Sequence, residues 1–112
     1  MRLAVRALLP VAALAACSPG PHTPPDGAEQ ARFIAVCTEH FDYGAEACAC
    51  LSDRAAQRFD APAYTILIES MTGEPVRERM DAADLNSSVQ GAISRFIAET
   101  ALACQPQALS ES

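Results

Sequence analysis

The chain reads as all-α, a small disulfide-stapled array of about four helices. Three observations predict this. Apolar residues recur at spacings of three and four along most of the stretch from Ala28 to Cys104, the mark of helices with one buried face. The one stretch with strand character, "YTILI" at 64–68, has no second strand to pair with, and a lone strand makes no stable sheet. Four cysteines, Cys37, Cys48, Cys50 and Cys104, fall within this segment of about 77 residues. At that size a core is thin and covalent staples are common.

The first helix is expected in "AEQARFIAVCTEHF". Phe33, Cys37 and Phe41 are spaced by four, with Ile34 beside them. Asp42 to Gly44 then turn the chain. The second helix, "AEACACLSDRAAQRF", presents Cys48, Leu51, Ala55 and Phe59 on one face and keeps Arg54 and Arg58 off its centre. Asp60 suits an N-cap and Pro62 a first turn, so a third helix begins there. In it Tyr64, Leu67, Ile68 and Met71 form a stripe, and Gly73 is the expected stop. Glu74 to Met80 reads as a connector. The last helix, starting at Asp81 or Asp84, aligns Leu85, Val89, Ile93, Phe96, Thr100 and Cys104. Gly91 within it costs about 1 kcal/mol of helix propensity; it either permits a close helix contact or is simply tolerated. Residues 105–112 read as a polar, flexible tail.

The helical domain, 28–104, is preceded by segments of different character. Arg2 and Arg6 lead into an apolar run from Ala7 to Ala16, short for a membrane span but suited to a signal peptide over residues 1–16. The stretch "LAAC", Leu14 to Cys17, resembles the lipobox of bacterial lipoproteins, whose cysteine becomes the acylated first residue. The resemblance implies lipidation of Cys17, with palmitate among the acyl chains, and anchoring of the domain to a lipid bilayer. Ser18 rather than Asp follows, which in Gram-negative bacteria resembles the pattern for sorting to the cell outer membrane, facing the periplasm. Ser18 to Gly27 holds four prolines and two glycines, so 17–27 reads as a lipidated cysteine with a tether, and His22 within it as a solvated side chain.

Charge excludes some partners. All fourteen acidic residues lie after Cys17 with six of the eight arginines, and lysine is absent, so this part carries a formal charge of −8. Nucleic-acid phosphates and anionic lipid both repel such a surface. An envelope protein with a basic face is the partner class it suits.

The cysteines carry the remaining chemistry. Cys48 and Cys50 stand two apart and point about 200° from each other on a helix, too divergent to pair together. Cys37 and Cys48 are nearly symmetric about the turn at Asp42, which favours Cys37–Cys48 with Cys50–Cys104. The swapped pairing is the competitor. The CxC motif also offers a copper site on Cys48, Cys50 and His40, with Met71 and Met80 as spare thioethers, since soft thiolates select Cu(I). Thiol exchange is a further reading, though no βαβ pattern surrounds the pair. No catalytic residue is assigned: Ser87 and Ser88 lack a histidine in a recognisable relation. Glu78, Asp81 and Asp84 are explained by a helix N-terminus. No phosphate loop is present, and no cofactor is expected.

The elements "FIAVC", "CACL" and "YTILIESMTG" together resemble a loose class of small exported bacterial proteins, with an aromatic and a cysteine on one helix, CxC opening the next, and a short helix ending near glycine. The resemblance spans Phe33 to Gly73 and implies an all-helical domain without implying an activity. The expected role is that of a non-enzymatic envelope lipoprotein acting as an interaction or structural module.

Overall fold

Asp26 begins the first helix by accepting a hydrogen bond from the Glu29 amide at 2.8 Å, which satisfies one of the unpaired first-turn N–H groups. In the computed structural model, which describes residues 22–105, that helix is α1, Gly27–His40, followed by α2, Ala45–Arg58, and α3, Ala61–Met71. A short α4, Arg77–Ala82, and a longer α5, Ser87–Thr100, complete the described α-helices, and a 3₁₀ turn, Leu102–Cys104, ends them. The fold is all-α.

Each long helix buries the face its periodicity predicts. Phe33 and Cys37 of α1 are fully buried, as are Cys48, Leu51 and Ala55 of α2. Tyr64, Leu67 and Ile68 make α3 the most enclosed helix, with Ile66 and Met71 also inside. Ile93 and Phe96 are the buried residues of α5. Aromatic contacts join the elements: Phe33 meets Tyr64 with ring centroids 5.3 Å apart, and Phe59 meets Phe96 edge-on at 5.6 Å. Such contacts contribute about 0.5–1.5 kcal/mol each beyond their area burial.

Tight connections fold α1 back on α2. Gly44 supplies φ +90° at the start of α2 and Gly73 φ +85° after α3, conformations that L side chains rarely adopt. Gly73 is therefore the helix stop expected at that position.

Four boundaries differ from the sequence reading. The expected connector contains α4, whose Met80 is buried against the core and whose Arg79 Nη1 donates to Glu69 Oε2 of α3 at 2.8 Å. The last helix starts later than Asp81 or Asp84. Asp81 belongs to α4 and Asp84 has φ +61°. Asn86 is the N-cap, accepting from the Val89 amide at 2.9 Å. Cys104 sits in the 3₁₀ turn rather than in α5. The end of the expected tether also differs: His22 to Asp26 lie against the junction of α2 and α3. The Ala61 amide donates to Thr23 O at 2.8 Å, and Pro25 is buried.

Gly91 answers its own question. A methyl group there would meet only the flexible tip of Arg95, at 3.0 Å, so no close helix contact needs the glycine. Gly91→Ala is expected to stabilise the domain by about 0.5–1 kcal/mol, read as a higher denaturation midpoint with unchanged slope.

One polar pair lies inside. Ser52, 2 % exposed, shares a 2.8 Å hydrogen bond with the Tyr64 hydroxyl. Burial pushes the Tyr64 phenol up to about 12 from the usual 10; the Ser52 hydrogen bond opposes this, while Glu29 and Asp53 add to it. The folded value lies above the unfolded one, so the contribution is complete below about pH 10 and is lost as pH rises towards 12. Tyr64→Phe should remove that alkaline loss. It should also cost about 1–3 kcal/mol by leaving Ser52 unpaired, and adding Ser52→Ala should recover part of it in urea unfolding.

Candidate functional site at the CxC helix

The CxC motif opens α2, and the helix geometry sends its two sulfurs apart. Cys48 points inward and is bonded to Cys37 of α1, with S–S 2.05 Å and Cα–Cα 5.8 Å. Cys50 is half-buried on another side and is bonded to Cys104 of the 3₁₀ turn, with S–S 2.10 Å and Cα–Cα 5.6 Å. This is the pairing favoured above, not its swap.

The bonds decide what chemistry the motif can do in this state. A thiolate is the metal ligand and the nucleophile in thiol exchange, and both sulfurs are in disulfides. The copper arrangement of Cys48, Cys50 and His40 is therefore not assembled. Cys48 and Cys50 belong to separate bridges. His40 ends α1 on the surface, with Nε2 3.9 Å from Glu39 Oε1. Met71 and Met80, the spare thioethers, are core residues. Among the described residues no three His, Cys, Asp or Glu side chains stand close enough to hold a metal ion. Cys17 lies outside the described residues.

Other polar groups converge elsewhere. A cleft of about 430 Å³ between the ends of α3 and α4 includes Arg32, Glu69, Glu74, Glu78 and Arg79 in its lining. Glu69 is held there by Arg79, while its Oε1 is buried without a hydrogen-bond partner. On α1, Glu29 accepts from Arg32 Nη1 at 3.1 Å and from the Thr65 hydroxyl of α3. At the α2–α3 junction His22 Nδ1 lies 2.7 Å from Asp60 Oδ1 and His22 Nε2 2.9 Å from Ala56 O. Sequence reasoning missed these groups because the contacts that assemble them, such as Thr65 with Glu29 and His22 with Ala56, join residues 36 and 34 apart in the chain. Asp60 was legible as a cap position, but its carboxylate makes no capping bond to α3 and accepts instead from the Thr23 amide at 3.1 Å.

The two bridges close loops of different size, with sequence separations of 11 and 54. Chain entropy then assigns about 3 kcal/mol to the first and about 4 kcal/mol to the second. Replacing Cys50 and Cys104 together by serine should destabilise the domain more than replacing Cys37 and Cys48, in paired chemical denaturation. Alkylation of unreduced protein should label none of the four.

Compared with known proteins, the chain matches no family model, no curated protein and no solved structure.

Proposed function

We propose that the chain is a lipid-anchored protein of the bacterial envelope, held to the bilayer by acyl chains on Cys17, and that its helical domain serves as a non-enzymatic interaction or structural module. The observation that carries this reading is the pair of disulfides: they occupy all four cysteines of the domain and so put the one reactive motif of the sequence to structural use. They also suit an oxidising compartment, which is where an acylated, exported domain would stand. The "LAAC" stretch directly precedes the Pro/Gly-rich segment leading to the domain, in the order anchor, linker, domain. The formal charge of −8 after Cys17 favours a basic protein surface as partner, with association weakened by salt. The outer membrane, periplasmic side, is the placement that Ser18 supports.

The test combines fractionation, mass analysis and metal analysis. The mature N-terminal peptide should carry acyl chains on Cys17, and Cys17→Ser should move the protein from the membrane to the soluble fraction. Elemental analysis of the purified wild-type protein should find no stoichiometric metal. About one copper per chain, lost on Cys50→Ser, would overturn the structural role of the motif, and an unmodified Cys17 in membrane-bound protein would overturn the anchor.

A further inference from the structure

The two bridges differ in how far solvent reaches them. Cys37 and Cys48 are each 0 % exposed, inside the same cluster as Phe33 and Leu51. Cys50 is half-buried, while its partner Cys104 is 4 % exposed. The inner bridge thus hides both of its cysteines, and the outer one hides Cys104 alone. Thiol–disulfide exchange needs a thiolate to reach a sulfur, so access selects both the bridge and the atom attacked. Nearby charge works in both directions. On α2, Glu46 stands four residues before Cys50, and Asp53 and Arg54 three and four after it, spacings that make surface neighbours. The two carboxylates oppose an incoming thiolate and the guanidinium favours it.

The outer bridge is also the one whose opening stays local. Among the described residues, the hydrogen bonds of the 3₁₀ turn remain within it or run to the end of α5. The Cys104 amide donates to Ala101 O at 3.1 Å, the Gln105 amide to Leu102 O at 3.2 Å, and Gln105 Nε2 to Ala101 O at 3.2 Å. None of them links the turn to α2, so the disulfide is its one directed tie to that helix. Leu102 within the turn is 62 % exposed. The inner bridge joins α1 to α2 inside the core, where a reagent enters only once those helices part.

We infer that Cys50–Cys104 is a thiol-exchange site, opened from the Cys50 side by a dithiol while Cys37–Cys48 stays closed. The domain supplies the disulfide in this exchange, not the thiolate. One thiol of the reagent gives up its proton and attacks Cys50 Sγ. The S–S bond breaks, its electron pair leaves on Cys104 Sγ, and that sulfur takes up a proton. The reagent is now joined to Cys50 by a mixed disulfide. Its second thiol loses a proton and closes the reagent's own disulfide, and Cys50 Sγ leaves with the electron pair and is protonated. Two electrons and two protons pass from the dithiol to the domain. The end of the chain is freed from α2, and the staple between α1 and α2 remains. The site stands whether or not Cys17 is acylated; only the identity of the reagent as a dithiol protein of the envelope rests on the function proposed above.

Dithiothreitol is the probe, added to the full unreduced chain in detergent micelles, with rapid alkylation and peptide mass analysis at intervals. Cys50 and Cys104 should be labelled about tenfold faster than Cys37 and Cys48. Urea below the unfolding transition should leave the first rate unchanged and raise the second, because only the buried bridge waits for a larger opening. With the monothiol glutathione, the first mixed disulfide trapped should sit on Cys50. Equal rates for the two bridges, earlier opening of Cys37–Cys48, a urea dependence shared by both, or a first adduct on Cys104 would overturn the exchange site. Acylation of Cys17 is read from its own peptide. A chain that lacks acyl groups yet opens Cys50–Cys104 first would keep the site and lose only its envelope setting.

Discussion

The fold depends on the rotation of α2 being fixed. Cys48 and Cys50 are two residues apart on that helix and are bonded to opposite ends of the chain, Cys37 before them and Cys104 after them. Because the two sulfurs leave the helix about 200° apart, turning α2 about its axis would relax neither bridge. The face left inward is then Leu51, Ala55 and the following Phe59. α1, α3 and the 3₁₀ turn all pack against α2. A small apolar core would tolerate several ways of sliding such short helices. Covalent registration removes most of them.

Within that frame the described interior is almost wholly apolar, and two polar contacts brace it, one buried and one at the surface. The Ser52–Tyr64 pair satisfies itself across α2 and α3, so it adds direction to a contact that aliphatic side chains alone would leave free to slip. Glu69 and Arg79 instead tie a six-residue helix to α3. A helix that short has little stability of its own. Met80 on its buried face and Arg79 on its exposed one hold α4 in place from outside the helix.

How much was legible follows from the range of each interaction. Helix faces were legible because a period of 3.6 is local: Cys48, Leu51, Ala55 and Phe59 were predicted together and are buried together. The bridges were legible because the divergence of Cys48 and Cys50 is also a helical property. What escaped depends on distant partners. The sequence "EPVRERM" has a proline and alternating charges, and nothing local says that Met80 has a place in the core. Asp84 looks like a cap by residue type, yet Asn86 takes that role. His22 and Thr23 sit in a composition that reads as linker, and their partners Ala56 and Asp60 lie 34 and 37 residues away. The LAAC stretch lies outside the described residues, so for that part the sequence remains the sole source.

The order of the two bridges also determines how the domain carries a pull. They close successive loops, 37–48 and then 50–104, without interleaving. A force applied between the two ends of the described chain therefore runs along α1 to Cys37, crosses to Cys48, passes Ala49 to Cys50, and crosses again to Cys104. The helices α3, α4 and α5 hang from this path and bear no tension through the backbone. A peptide-bond cut anywhere between residues 51 and 103 would open the larger loop but leave both pieces covalently joined, and the load path unbroken.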